Sequence, residues 1–275
     1  MNHDTNITLS ILIPAFNYPY GVSRILKKLQ TSDQSRVEII ISDDSSNNEV
    51  MNAIKKFKDI NIEYINHKPS GNAVDNWNFL LKKAKGKYLQ FIHHDEFPMS
   101  EYYIETLLDL IDSKKPDLII TNCYLKNNNL IKEFTSSFIK KLVLKFPYFL
   151  IHKNVYGSPS NFIFLNSANL SFDRDLIYLV DVDAYIKLIQ DSSYIYLFEQ
   201  QIMISEIDKS ISITSKIRES LPQILDVETK ILAKRHINMK INIFLIMLLK
   251  KFLYASKFII YIISLILPKK LERND

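Results

Sequence analysis

Residues 7–17 read Ile-Thr-Leu-Ser-Ile-Leu-Ile-Pro-Ala-Phe-Asn, an apolar, β-rich run that stops at Pro14. Apolar residues at Val22, Ile25, Leu26 and Leu29 follow at helical spacing, so a strand feeds a helix. The unit then repeats: residues 37–41 form a second apolar run, 48–57 read as a helix and 60–65 as a short strand. Next come a helix over 73–85, a turn at Gly86, a strand over 88–92, a helix over 102–111 and a strand over 118–121. Strands alternating with helices at this spacing predict βαβ units, and therefore an α/β chain with a mostly parallel sheet flanked by helices on both faces. Ligands of such a sheet sit at the carboxyl ends of its strands.

Beyond residue 121 the alternation loosens. Asn127, Asn128 and Asn129 mark a loop, and residues 136–156, apolar and basic, read as helix. Residues 156–160 form a turn leading into the apolar run 162–165, and 181–190 again has helical spacing. No repeat, low-complexity block or long linker divides residues 1–205, which predicts one domain followed by an extension over 206–275.

Composition narrows the function. With 275 residues, 47% of them hydrophobic and 12% aromatic, the chain can fill a core, which excludes disorder. The single cysteine, Cys123, cannot form an internal disulfide and fits a reducing compartment. The first twenty residues lack a secretory signal pattern, so the expected location is the cytoplasm. Charge is uneven: residues 211–275 carry 12 Lys and Arg against 5 Asp and Glu, whereas residues 1–210 are slightly acidic. With no basic stripe and interleaved aromatics in those 210 residues, nucleic acid is not an expected partner. The basic, apolar tail points instead to an anionic membrane surface.

Three segments fall where strands should end: Pro14-Ala15-Phe16-Asn17, Ser42-Asp43-Asp44-Ser45-Ser46 and His93-His94-Asp95-Glu96. Acidic residues directly after buried strands are costly unless they face solvent, a cation or a polar ligand. Each segment alone has an ordinary reading, as a helix cap, a solvated loop or a turn. Together, in this order, they converge on one ligand-binding edge. The first loop has no glycine, which excludes a dinucleotide-binding or Walker-type phosphate loop.

The stretches Ile11–Asn17, Ile40–Ser46, Asn76-Trp77-Asn78, Ala84–Leu89 and Phe91–Glu96 resemble the N-terminal half of family 2 glycosyltransferases of the GT-A fold. The likeness is close over residues 7–112 and looser through Gly157-Ser158-Pro159-Ser160 and Val180-Asp181-Val182-Asp183 to about 205. It implies a nucleotide-binding half over 1–112, an acceptor-side half over 113–205, and an inverting sugar transfer in bacterial surface-polysaccharide synthesis. The donor would be a nucleotide-diphospho-sugar, with uridine as the expected base, and the acceptor a glycan or lipid-linked glycan. By the same resemblance Pro14, Phe16, Asn17, Asp43, Asp44, His94 and Asp95 bind the donor, with Phe16 offering a face to the base and Asp44 accepting hydrogen bonds. Asp95, with Glu96 as a second contact, would hold a divalent cation, Mn2+ or Mg2+, against the diphosphate. Asp181 falls on the family's general base, with Asp183 as the fallback. Two residues depart from the family pattern: His94 stands for a carboxylate and Val180 for an acidic neighbour. These departures motivate the alternative of a catalytically weakened, membrane-associated sugar-nucleotide-binding or scaffold protein.

Residues 241–267 are long enough to span a bilayer, but Lys250, Tyr254, Lys257, Tyr261 and Ser264 recur on one stripe. Carrying lysines through hydrocarbon would cost roughly 2.5–3.5 kcal/mol each near the centre. The expectation is an interfacial helix that holds the protein peripherally on the inner face of the cell membrane. The alternative is a helix packed on the catalytic domain or on a partner copy in a homodimer.

Overall fold

The structure, a computed structural model, describes residues 7–30, 35–67, 72–127, 130–133, 137–206, 217 and 219–236. The helix expected over 241–267 lies outside these residues.

Strand β1 (Leu9–Ala15) is buried at every position because it lies between two parallel neighbours, β2 (Val37–Asp43) and β4 (Tyr88–Phe91). β3 (Ile62–Asn66) extends the parallel set beyond β2. On the other side β8 (Phe162–Leu165) pairs antiparallel with β4, and β6 (Leu118–Asn127) antiparallel with β8. β9 (Ile195–Glu206) runs parallel to β6, and the short β5 (Glu96–Pro98) closes that edge antiparallel to β9. β7 (Leu130–Glu133) forms a hairpin with β6. Among the described residues this makes one mostly parallel sheet in the order β3-β2-β1-β4-β8-β6-β9-β5.

The helices are α1 (Pro19–Leu29), α2 (Glu49–Ile54), α3 (Ala73–Lys83), α4 (Tyr103–Lys114), α5 (Ser137–Lys145), α6 (Val180–Asp191) and α7 (Leu221–His236). Leu9, Ile11 and Ile13 of β1 join Ile39 and Ile41 of β2, the stripe Val22, Ile25, Leu26 and Leu29 of α1, and Ile104, Leu107 and Ile111 of α4 in one core. Leu12 and Ile40, of opposite parity, are also fully buried, so both faces of the central strands are covered, as parallel strands require. Two compact units divide the chain at residue 230; the first, residues 1–230, contains the sheet and the site described below.

The structure departs from the sequence expectation in three places, each with a physical cause. The helix expected over 136–156 stops at Lys145, because Pro147 cannot continue it and opens a 3-10 turn over Pro147–Ile151 instead. β6 runs six residues past Thr121 and turns back as β7. β9 is not anticipated at all, because its pairing with β6 jumps from Ile120 opposite Leu197 to Asn122 opposite Gln201. Asn122 fills the resulting bulge by donating from Nδ2 to the carbonyl of Glu199 (2.7 Å), and the extra residues destroy the alternation that marks a strand.

Candidate active site

Because β1, β2, β3 and β4 are parallel, their carboxyl ends open on one edge. The register sets Ala15 beside Asp43 and Asp43 beside Asn66, while the Ile92 amide continues the β4 ladder by donating to Leu12 O (2.9 Å). The three polar segments singled out in the sequence therefore meet on this edge.

On the β2 side, Asp43 is buried and both its oxygens are engaged within the protein. Oδ1 accepts from the Ser45 amide (3.0 Å) and hydroxyl (2.5 Å), and Oδ2 from the Tyr64 hydroxyl (2.8 Å). Asn17 adopts the left-handed conformation (φ 49°) that asparagine tolerates, and its amide donates to Ser45 Oγ (2.7 Å), tying the first loop to the second. Asp44 donates its amide to Ala15 O (3.0 Å), and its Oδ1 lies 2.6 Å from His67 Nδ1. Burial raises the Asp44 carboxyl, and His67 opposes that rise. Phe16 is 47% exposed, so its ring is available at the rim rather than in the core.

On the β4 side, residues 93–96 form a tight turn: Glu96 donates its amide to His93 O (2.9 Å), and the His93 amide donates to Glu96 Oε2 (3.2 Å). The His93 ring stacks on Trp77 at 4.9 Å, and Trp77 meets Phe172 edge-on at 5.2 Å. Burial lowers His93 to about 4, with Asp95 opposing, so the ring is neutral at physiological pH; its Nε2 is buried with no hydrogen-bond partner among the described residues. His94 lies edge-on to Tyr18 at 5.5 Å. Its carbonyl oxygen packs so closely on Gly21 that a Cβ there would lie 2.0 Å away, which explains a glycine inside the first turn of α1.

Behind this turn the hydroxyls of Ser158 and Ser160, 3.3 Å apart, lie close enough to Glu96, which is 1% exposed, to favour its charged form. Gln90 Nε2 donates to Ser160 O (2.7 Å), and Tyr185 of α6 donates to Gly157 O (3.0 Å) while its ring stacks on Phe162 (4.0 Å). These contacts dock α6 on the sheet with Asp181 in its first turn. Asp181 Oδ1 is buried and has no hydrogen-bond partner among the described residues. Burial, reinforced by the negative charge of Asp95, pushes Asp181 up to about 7. The same two causes, in the same order, push Glu96 up to about 8 against the hydrogen bonds it accepts. Asp183 is buried, with Oδ2 2.6 Å from Lys187 Nζ, and Val180 is buried in the core.

Three residues that shape this edge were not assigned roles from sequence. Trp77 supports His93, His67 pairs with Asp44, and Tyr18 flanks His94. His67 directly follows the end of β3, so the rule that found the other segments reaches it too. Asn76 and Asn78 are structural: Asn76 Nδ2 donates to Ser42 O (3.0 Å), and Asn78 exchanges two hydrogen bonds with the Phe172 backbone.

Among the described residues no three His, Cys, Asp or Glu side chains form a ready metal cage. A divalent cation nonetheless fits this chemistry. Mg2+-type ions are commonly held by one or two carboxylates completed by substrate phosphates. Here Asp95 stands half-buried on the turn, and its charge reaches the buried carboxyl of Glu96 beside it.

The raised carboxyls also set a sign for stability. Between the unfolded values of 3.8 for Asp181 and 4.5 for Glu96 and their folded values, these two groups bind more protons in the folded chain than in the unfolded one, whereas His93, lowered by burial, opposes them below about pH 6.5. The contribution of these two carboxyls to stability therefore falls as pH rises through that window, and above about pH 6.5 His93 no longer offsets it. The melting temperature of the cation-free chain should drop by a few degrees from pH 5 to pH 8, and Asp181→Asn should flatten the slope. Parallel slopes in a thermal scan would show that Asp181 is not strained in its charged form.

The Glycosyl transferase family 2 model matches residues 10–173 of this chain. Over 139 residues the chain is 29% identical to a Campylobacter jejuni GalNAc(5)-diNAcBac-PP-undecaprenol beta-1,3-glucosyltransferase, covering 48% of this chain and 44% of that one. The chain spans about half the length of the curated relatives it matches. Among solved structures, S. aureus TarS in complex with UDP-GlcNAc superposes with a TM-score of 0.64 at 16% identity, over 79% of this chain and 65% of that one. Glucosyl-3-phosphoglycerate synthase from Mycobacterium tuberculosis, with Mn2+, UDP and glucosyl-3-phosphoglycerate, gives 0.56 at 13% identity over 84% and 80%. These likenesses establish the fold.

Proposed function

The chain belongs to glycosyl transferase family 2, and from that premise we propose that it transfers a sugar from a uridine diphospho-sugar to a lipid-linked glycan during assembly of a bacterial surface polysaccharide. The observation that carries this reading is the pairing, on one sheet edge, of a nucleoside-side acceptor, Asp44 beside the exposed Phe16, with two interacting carboxylates, Asp95 and Asp181. The uridine base is supported by the UDP and UDP-GlcNAc complexes of the structural neighbours, and the acceptor class by the undecaprenol-linked acceptor in the relative's name.

Phe16 offers its face to the base while Asp44, oriented by His67, accepts from the base or the ribose hydroxyls. Asp43 has both oxygens committed within the protein, so its part is to hold this loop, with Pro14 and Asn17 fixing the other wall. His94 packs at the turn that carries Asp95. A divalent cation, Mn2+ or Mg2+, would be held by Asp95 with Glu96 as its neighbour, and when bound it neutralises charge on the departing diphosphate. Asp181 takes the proton from the attacking acceptor hydroxyl. The new bond to the anomeric carbon forms as the bond to the diphosphate oxygen breaks, with inversion and no covalent intermediate. Asp183 is the weaker candidate for this role because Lys187 occupies it.

Among the described residues no helix is long and apolar enough to cross a membrane. The amphipathic stretch 241–267 supports a peripheral attachment that would keep the site near a lipid-borne acceptor. Calorimetry with Mn2+ tests the donor assignment: UDP should bind at least about tenfold more tightly than ADP or GDP. Equal binding of all three, or none, overturns the uridine reading.

A further inference from the structure

The first turn of α6 carries the carboxylate assigned as base, yet its own N-cap residue, Leu179, supplies no side-chain hydrogen bond. The cap comes from 49 residues downstream. Glu228 of α7, 3% exposed, accepts at Oε1 from the Ile177 amide (2.5 Å) and at Oε2 from the Tyr178 amide (3.1 Å) and the Leu179 amide (2.7 Å). One carboxylate thus satisfies three successive amides of the segment that leads into α6, the last of them the N-cap Leu179, and places its negative charge near the helix start, where the dipole favours it. The Asp183 amide then donates to Leu179 O (3.0 Å), so the last residue held by Glu228 is also the first acceptor of α6.

The far end of the same segment is held by α3. Asn78 exchanges two hydrogen bonds with the Phe172 backbone, and Arg174 pairs with Asp75 (2.8 Å). Residues 172–179 are therefore clamped at both ends, and Asp181 lies two residues beyond the second clamp. Ile177 and Tyr178 expose their side chains while their amides point to Glu228. The segment is held here through its backbone, and the buried carboxylate is the partner that fixes it.

We propose that Glu228 is a positioning residue for the base: by gathering the amides of 177–179 it fixes the first turn of α6 and sets where the Asp181 carboxylate stands. This rests on the assignment of Asp181 as base. It goes further in coupling that base to α7, an element beyond the matched family region. Glu228 is buried with both oxygens committed to backbone amides, so its loss should act on turnover rather than on donor affinity.

The test uses the full chain with Glu228→Gln, which keeps the volume but turns an NH2 group toward amide donors, and Glu228→Asp, which keeps the charge one methylene short. Three quantities are compared with the parent: turnover of UDP release from UDP-glucose and UDP-N-acetylglucosamine with Mn2+, UDP affinity by calorimetry, and amide hydrogen exchange across 175–185 against 37–44. Glu228→Gln should lower kcat roughly tenfold or more while UDP affinity stays within about twofold. Exchange across 177–183 should quicken roughly tenfold with 37–44 unchanged, and Glu228→Asp should recover part of both effects. Unchanged exchange at 177–183, turnover within about twofold of the parent, or a loss of UDP affinity matching the loss of turnover would each overturn the proposal. If Glu228→Gln does not fold, Glu228→Asp decides on the same readouts. A parent that releases no UDP defeats the transferase reading, and the exchange comparison then decides the positioning claim alone.

Discussion

Asp181→Asn should remove transfer, by roughly 10^2- to 10^4-fold, while leaving UDP binding within about twofold. The asymmetry follows from where the group acts. A general base takes its proton from the acceptor, so its interaction with the bound nucleotide is small and its loss appears in turnover. Asp181 suits this role near neutral pH because burial, the larger cause, raises its proton affinity, with the charge of Asp95 adding to it in the cation-free chain, where it stands at about 7. An aspartate in water would be far too weak at that pH, since proton affinity sets the driving force for accepting a proton. Steady-state rates and calorimetry on the same preparations provide the check. A parallel fall in UDP affinity would move Asp181 to the donor side of the site.

Asp95→Asn should instead weaken both steps. Under the proposed assignment Asp95 would be the cation's carboxylate contact, so Mn2+-dependent UDP affinity should fall by roughly 10- to 100-fold and turnover at least as far. The same substitution should let Asp181 and Glu96 ionise more easily, because the charge of Asp95 is a cause of both raised values. The variant should consequently lose less thermal stability than the parent as pH rises from 5 to 8. An Asp95→Asn protein that binds UDP as tightly as the parent in Mn2+ would show that the cation is held elsewhere.

The readable part of this protein was the part governed by local rules. The runs at 9–15, 37–43 and 88–91 announce strands because apolar residues dominate each, as in strands flanked on both sides, with only Ser10, Glu38 and Gln90 polar before the strand ends. The segments that follow them stand where a parallel sheet presents its ligand, which singles out Phe16, Asp44 and Asp95 from local sequence alone. What escaped depends on distant partners. β9 carries a bulge whose extra residues are compensated by Asn122, and no pattern within 195–206 reveals that. The stack of Trp77 on His93 requires α3 to cross the end of β4. Glu228 reads as an ordinary acidic residue on an exposed helix until the amides of 177–179 are seen to converge on it. Of the two departures from the family pattern, Val180 is buried in the core, while the His94 ring lies edge-on to Tyr18 at the turn that carries Asp95.

The most direct test of the central claim is UDP release by the full chain incubated with Mn2+ and UDP-glucose or UDP-N-acetylglucosamine, measured beside Asp95→Asn and Asp181→Asn. A sugar transferase that uses water slowly in place of its acceptor should release UDP from at least one donor, and both variants should lose that release. UDP bound tightly with no release from either donor, in the parent as in the variants, would contradict the account and leave a sugar-nucleotide-binding protein in its place.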